Sequence, residues 1–501
     1  PVRAAPVPVL APARAVPVLA PAVGAEREGT SVNAERILHG VWPGQRSSPS
    51  SLHPGLFSYE LGQAEARTHV HLRVDGDGSA VLLVNAAQVF QLNPSAALMA
   101  YLYLEGLPEA KALARLRSAF RVPKAQALGD LHAFNEQMQA LLGDPQACPI
   151  HDLALDVIPP FSAMPSAPYR MDLALTYRCN NDCAHCYNAR SRDFPELSTV
   201  EWKQAIDSLW AVGIPHVVFT GGEPTVRRDL PELVAYAQAK GMVTGLNTNG
   251  RRLRDAGYVD ALVSAGLDHV QITLESHDPV VHDAMVRHPG AWRETVAGLE
   301  NALRSRLYVM TNSTLLRNNT PVLGETLDFL ARQGVPTVGL NALIYSGHAL
   351  SVDSGLSEEE LPPLLDLARE RCSAHGQRLI WYTPTQYCHF DPVQMELGVK
   401  GCTAARYNMA VEPNGDVLPC QSYYTPLGNL LLDPWRSIWN APLALSLREH
   451  RDLPTGCAGC AFLGECGGGC PLYRQANGQA AQGPRQDSME ECDEQTTARL
   501  A

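Results

Sequence analysis

"MDLALTYRCNNDCAHCYN", Met171–Asn188, decides how the rest of the chain is read. Its first seven residues form a β-prone apolar run, the signature of a strand. The run opens into a loop that carries Cys179, Cys183 and Cys186 at C-x3-C-x2-C spacing, with Tyr187 next. Three thiolates are one short of a closed tetrahedral metal site. Clustered on one short loop, they suit a [4Fe–4S] cluster with one iron left open for a small molecule. A zinc site with a distant fourth ligand is the plainer alternative.

Outward from this loop, strand and helix patterns alternate from Met171 to about Leu343. The strands after "MDLALTY" are "HVVF", "GMVTGLN", "HVQITL", "LYVMTNS" and "PTVGLNAL". Between the first two, Trp202, Ile206, Leu209 and Trp210 make one helical face, begun by a capping box of Ser198 and Glu201. Six βα units in sequence imply a parallel sheet curved into a partial (β/α)6 TIM barrel, an α/β fold. In such barrels the site forms where strands end. "TGGEPT" (Thr220–Thr225) ends the second strand, "NTNG" (Asn247–Gly250) the third, Glu275 with Ser276 the fourth and Asn312 with Ser313 the fifth. Polar and special residues therefore gather on one rim with the cysteine loop.

The expected organisation has five parts. Residues 1–55 are a low-complexity, proline-broken tail, in which "VPVLAPA" occurs twice. Residues 60–150 are a small α+β module, with strands in "HLRVDGDGSAVLLVN" and "AAQVFQLN" and three helices after Asn93. Residues 165–345 hold the barrel, 346–387 a helical bridge, and 388–501 a glycine- and cysteine-rich segment. That last segment has few periodic runs, so metal ligation has to supply part of its stability.

Composition narrows the function. The net charge is −12, with 40 basic and 52 acidic residues, which argues against a nucleic-acid partner. No apolar run of the ~18 residues a membrane span requires is present. Thirteen cysteines is an odd count. Most of them fall into clusters with metal-ligand spacing, which points to a reducing cytoplasm rather than a disulfide framework. The second set comprises Cys402, Cys420, Cys457, Cys460, Cys466, Cys470 and Cys492. Two structural zincs would satisfy it as four-thiolate sites, as would iron–sulfur clusters. Cys148 and Cys372 read as lone thiols.

The loop of Cys179, Cys183, Cys186 and Tyr187, with "GGEP" at Gly221–Pro224 after the second strand, resembles the signature of radical S-adenosylmethionine (SAM) enzymes. The C-terminal cysteines resemble the seven-cysteine SPASM domain. Residues 68–143 loosely resemble the PqqD-like winged-helix peptide-recognition element, although "EGLPEA" replaces its usual turn before the second helix. The first resemblance implies that the open iron binds the amino and carboxylate groups of S-adenosylmethionine. Gly221 and Gly222 would expose backbone near the methionine amino group, and Glu223, before Pro224, would accept from it. Tyr187 would pack near the adenine, and Thr273 and Glu275 would bond the ribose. Arg287 would pair with the carboxylate, or else is a solvated surface charge. Asn247 and Asn312 are further cofactor contacts or strand-end caps.

The implied chemistry is reductive cleavage to a 5′-deoxyadenosyl radical, which abstracts hydrogen from a substrate. SPASM resemblance implies two auxiliary [4Fe–4S] clusters, three in all. Cys402, Cys420 and Cys470 would hold one, and Cys457, Cys460, Cys466 and Cys492 the other. The first is then open, or closed by Cys388. The expected function is oxidative modification of a ribosomally made precursor peptide: a cross-link, a thioether or a backbone rearrangement. The partners would be the precursor's leader sequence and a one-electron donor such as flavodoxin or ferredoxin, with no membrane or nucleic acid. The module's alternative role is a structural cap. The alternative functions are a sulfatase-type maturase of a folded partner and a non-enzymatic iron–sulfur or zinc scaffold.

Overall fold

A computed structural model describes residues 40–41, 52–61, 68–85, 88–143 and 165–478. Cys148, Cys492 and most of the proline-rich tail lie outside the described residues.

The N-terminal module is an antiparallel sheet of β1 (Gly40–Val41), β2 (Gly55–Leu61), β3 (Thr68–Val74), β4 (Ala80–Val84) and β5 (Gln88–Leu92), in that spatial order. Its sheet thus begins before residue 60 and draws two strands' worth of sequence from the expected tail and its edge. Helices Pro94–Leu104, Glu109–Ala119 and Lys124–Gly143 follow. Asn93 caps the first, accepting from Ala96 N at 2.9 Å, and Pro94 occupies its first position, where no N–H is needed.

Strand β3 shows how the module is seated. Val70, Leu72 and Val74 face one way, into the core shared with the three helices. His69, His71 and Arg73 alternate with them and face the barrel. These polar residues are buried rather than solvated. His71 Nε2 lies 2.6 Å from Gly241 O, Arg73 Nη1 donates to Ala167 O at 2.9 Å, and His69 Nε2 is 3.1 Å from Asp268. Burial pushes the His71 imidazole down to about 4, so it is neutral at physiological pH.

The second sheet has ten strands, ordered β12-β11-β10-β9-β8-β7-β6-β13-β14-β15. The barrel proper is β6 (Arg170–Thr176), β7 (His216–Gly221), β8 (Val243–Thr248), β9 (His269–Thr273), β10 (Tyr308–Thr314) and β11 (Thr337–Asn341), all parallel. These are the six expected strands. The capping box of Ser198 and Glu201 starts the helix Thr199–Ala211, whose Trp202, Ile206 and Leu209 are fully buried on the sheet.

Two departures extend the sheet. Within the expected helical bridge, β12 (Arg378–Trp381) pairs parallel with β11. Within the expected loop-rich segment, β13 (Asn408–Val411) pairs parallel with β6, and β14 (Asp416–Leu418) and β15 (Gly428–Asn429) follow it antiparallel. The barrel edge beside the cysteine loop is therefore covered by the C-terminal domain's own first strand, which removes an exposed ladder.

One close approach at the base of the barrel is diagnostic. A Cβ on Gly245 would fall 2.2 Å from His269 Cε1, and His269 Nε2 is held 2.9 Å from His216 Nε2. The ring has no room to yield. Gly245→Ala is therefore expected to cost about 1–3 kcal/mol, the usual scale of overpacking. Differential scanning calorimetry should show a clear fall in the unfolding temperature, and an unchanged profile would contradict the packing described.

Candidate functional site

The C-terminal ends of the parallel strands open on a cavity of about 690 Å³. Cys179, Cys183 and Cys186 line it, as do Gly221, Gly222, Asn247, Thr273, Glu275 and Asn312. The sequence's scattered rim residues are thus gathered around one space.

The cysteine loop is held from several sides. Asp182 N and Ala184 N donate to Val286 O and Met285 O, both at 3.1 Å. From the far side, Ala349 N donates to Cys186 O at 3.2 Å. Arg251 donates to Asn180 O and, at 2.8 Å, to Asn181 Oδ1. Arg192 donates to Cys179 O at 3.2 Å and to Asn181 O at 2.7 Å. Burial pushes the Cys179 thiol up to about 12 and raises Cys183 well above its ordinary value, with neighbouring acidic groups and thiols adding to the effect. Buried thiols brought together in this way are a donor set that a cationic iron cluster stabilises as thiolates. The residues present fit the group.

The "GGEP" turn is fitted against this loop. Gly221 has φ 139°, and a Cβ there would lie 2.1 Å from Thr176 O. A Cβ on Gly222 would lie 2.6 Å from both Tyr177 O and Arg178 O. Only glycine allows this approach, which brings backbone to the cavity wall. Glu223 is held by protein partners. Its side chain is fully buried and is not among the residues that line the cavity. Its Oε1 accepts from Thr225 N (3.0 Å), Thr225 Oγ1 (2.6 Å) and Thr248 Oγ1 (2.7 Å), and its Oε2 from Asn249 N (2.8 Å). The carboxylate therefore ties the turn to the end of β8. Pro224 is buried at the start of a 3-10 turn.

The helix Pro279–Val286 ends at Arg287 in a left-handed conformation (φ 50°), which leaves the residue exposed and off the cavity wall. Glu275 does reach the cavity, but its oxygens are already engaged: Oε1 lies 2.9 Å from His185 Nε2, and Oε2 accepts from Thr314 N at 2.8 Å. Asn312 Nδ2 donates to Asn341 Oδ1 at 2.8 Å. The Tyr187 hydroxyl donates to Gln421 Oε1 at 3.3 Å, toward the C-terminal cysteines. The sequence reading missed His185, Arg192, Arg251 and Asn341. His185 had a signal, lying inside the cysteine motif, and Arg251 directly follows "NTNG". Arg192 and Asn341 had none.

The described C-terminal cysteines influence one another within two sets, Cys402 with Cys420 and Cys470, and Cys457 with Cys460 and Cys466. Cys402 and Cys420 are each pushed up to about 12, chiefly by burial and in part by Cys470 and, for Cys402, by Cys420. Cys457 is raised by burial and then by Cys460, and Cys466, pushed up to about 11, is raised by burial and in part by Cys457. Among the described residues no three His, Cys, Asp or Glu side chains close up tightly enough to hold a single metal ion. Cysteines of a [4Fe–4S] cluster ligate separate irons, so they stand farther apart. Cys470, Thr403 next to Cys402, and Gln421 next to Cys420 all line the same cavity as the first three cysteines. Cys372 is core, buried in the helix Pro362–Ala374.

Glu223→Gln keeps the shape but turns an amide's N–H groups toward donors. It should lower stability by about 1–3 kcal/mol, the cost of unsatisfied buried partners, and weaken S-adenosylmethionine binding through the displaced turn. Thermal unfolding and equilibrium dialysis should fall together. Weakened binding with unchanged stability would instead mean direct contact with the cofactor.

Comparison with known proteins agrees with this architecture. The radical SAM superfamily profile matches residues 173–340, and the SPASM iron–sulfur cluster-binding domain profile matches residues 402–461. The mycofactocin maturase MftC of Mycolicibacterium smegmatis is 31% identical over 337 residues, 65% of this chain and 83% of that protein. An AdoMet-dependent heme synthase of Methanosarcina barkeri is 27% identical over 61% of this chain and 92% of its own length. Among solved structures, Streptococcus suis SuiB bound to its precursor peptide SuiA superposes with a TM-score of 0.62 at 15% identity, covering 83% of this chain and 97% of that one. AdoMet-bound anSMEcpe superposes with a TM-score of 0.52 over 66% of this chain. With its first three cysteines and Cys470 on one cavity, the chain belongs to the radical SAM superfamily as an enzyme with a SPASM domain, and its cofactors are S-adenosylmethionine and [4Fe–4S] clusters.

Proposed function

We propose that this enzyme oxidatively modifies a ribosomally made precursor peptide inside the shared cavity. The observation that carries the reading is that one cavity is lined both by Cys179, Cys183 and Cys186 and by Cys470 with the neighbours of Cys402 and Cys420. A substrate lying there is within reach of both cluster sites. When bound, the first cluster and S-adenosylmethionine supply hydrogen abstraction, and an auxiliary cluster supplies an acceptor for the remaining electron. The chain's own residues do the rest. Gly221 and Gly222 present backbone, and Asn247, Thr273 and Asn312 offer neutral hydrogen-bonding groups. The barrel keeps water from the reacting atoms. An external donor of the flavodoxin or ferredoxin type and a reducing, cytoplasmic setting go with this reading. Among the described residues no helix is long and apolar enough to cross a membrane.

A peptide substrate is supported by the N-terminal module. Residues 165–501 make up about two thirds of the chain, so the match to SuiB, over 83% of it, reaches into that module. Among the described residues no strand pairs with the outer edge of β5, where Val89 is exposed. Such an edge accepts an added strand, one recurring way in which an extended peptide is bound. The heme synthase relative favours a second reading, a tetrapyrrole substrate in the same cavity. A folded-partner maturase and a non-enzymatic scaffold are disfavoured by the relatives and by family membership.

Replacing Cys179, Cys183 and Cys186 together by alanine should abolish 5′-deoxyadenosine formation and lower iron from about twelve to about eight per chain. Undiminished cleavage would place the reaction on another loop, and stoichiometric zinc would remove the auxiliary clusters from the reading. Val89→Pro is tolerated on an edge strand but blocks strand addition. It should weaken leader-peptide binding at least tenfold, by fluorescence anisotropy, while cofactor cleavage without peptide persists. Equal affinity would return the module to a structural cap, and turnover of a porphyrin but no peptide would favour the second reading.

A further inference from the structure

Seven cysteines leave two auxiliary clusters one protein ligand short, and the described residues contain a buried carboxyl group whose contacts reach both flanks of Cys470. Glu358, Glu359 and Glu360 are consecutive carboxylates in a 3-10 turn capped by Ser357. Glu359 is exposed, and Glu360 pairs with Arg317. Glu358 turns inward and is 2% exposed. Its Oε2 accepts from His389 Nδ1 at 2.7 Å and from Gln386 N at 3.2 Å. Its Oε1 is buried with no protein partner.

Glu358 and its partner Gln386 contact the chain on both sides of Cys470. Glu358 N donates to the Tyr473 hydroxyl at 3.3 Å, and Tyr473 lies on the helix Pro471–Ala476 that begins directly after Cys470. On the other side of Cys470, Gly469 presses on the loop that holds Glu358. A Cβ on Gly469 would fall 2.7 Å from Gln386 Cγ and 3.0 Å from Gln386 N. The residues flanking Cys470 therefore touch the residues that fix Glu358.

A buried carboxylate oxygen with no hydrogen-bond donor is unfavourable unless a cation or water meets it. Cys402, Cys420 and Cys470 supply three thiolates, and a cubane has a fourth iron. A carboxylate is an anionic oxygen ligand for iron, and one whose second oxygen is held by an imidazole is oriented for that task. We propose that Glu358 is the fourth protein ligand of the auxiliary cluster at Cys402, Cys420 and Cys470, binding iron through Oε1. The inference rests on the reading that these three cysteines hold a cluster. It also assigns the fourth position to a carboxylate rather than to Cys388 or to solvent.

The test uses anaerobically reconstituted full-length enzyme, read by electron paramagnetic resonance, Mössbauer spectroscopy and spectroelectrochemistry. Glu358→Gln removes the anionic ligand but keeps the shape. It should change the g-values of one auxiliary signal and raise that cluster's reduction potential, while the signal of the first cluster stays as in the wild type. Glu358→Cys should load fully and give a four-thiolate spectrum, and it covers the case in which Glu358→Gln fails to fold. Cys388→Ala should leave all three signals unchanged. Wild-type spectra and potentials in loaded Glu358→Gln or Glu358→Cys would overturn the assignment, as would the same auxiliary change arising from Cys388→Ala. A wild-type iron content of about four per chain would instead overturn the auxiliary-cluster reading itself, and the ligand with it.

Discussion

The buried carboxylate of Glu223 is the constraint on which the site depends. It has no exposure and draws donors from Thr225, Thr248 and Asn249. It thereby joins the turn after β7 to the end of β8. The linkage continues outward. Asn249 Nδ2 donates to Asn180 Oδ1 at 2.6 Å, and Arg251, two residues on, holds Asn180 and Asn181. On the other flank, Gly221 and Gly222 lie too close to Thr176, Tyr177 and Arg178 for any side chain. The cysteine loop is positioned from below by one glycine-rich turn whose own geometry is set by one carboxylate. Burial disfavours the charged form of Glu223, and the four donors oppose that effect.

A second linkage binds the C-terminal domain to the first cluster site. Glu412, between β13 and β14, has a fully buried side chain. It receives a two-pronged contact from Arg190 at 2.7 and 2.8 Å and a hydrogen bond from the Tyr177 hydroxyl at 3.0 Å. Such a paired, hydrogen-bonded charge is strongly disruptive to break, because its partner is left buried alone. Leu197 N also donates to Pro413 O at 2.6 Å. Together with the parallel pairing of β13 and β6, these contacts fix the C-terminal cysteines relative to the cysteine loop. The distance between the two cluster sites is thus set by a sheet and an ion pair rather than by a tether. That matters for any step in which an electron passes between them.

Much of the barrel was legible in the sequence because its signals are local. Each strand is an apolar run, each helix has a periodic face, and the capping residues at Ser198 and Asn93 act within a few residues of themselves. The polar face of β3 was not legible. "THVHLRV" alternates as a half-solvated strand does, yet His69, His71 and Arg73 are buried because the barrel base supplies them with partners far away in sequence. Strands β12 and β13 were missed for a related reason. Four-residue runs carry little periodic signal, and their strand character comes from the neighbours they pair with.

The sequence alone determined that two sets of cysteines exist, that the first follows a barrel strand, and that a double-glycine turn stands beside it. Those facts rest on spacing, and spacing is a property of the chain. Tertiary structure decided what each neighbouring polar residue does. Glu223 and Arg287 both sat at motif positions, but one is turned into the core by four donors and the other is thrown outward by a left-handed helix end. Glu358, one of three identical neighbours, is singled out only because the turn buries it while its two successors face outward. Direction in space is set by hydrogen bonds and packing among residues distant in sequence, and a one-dimensional pattern does not encode it.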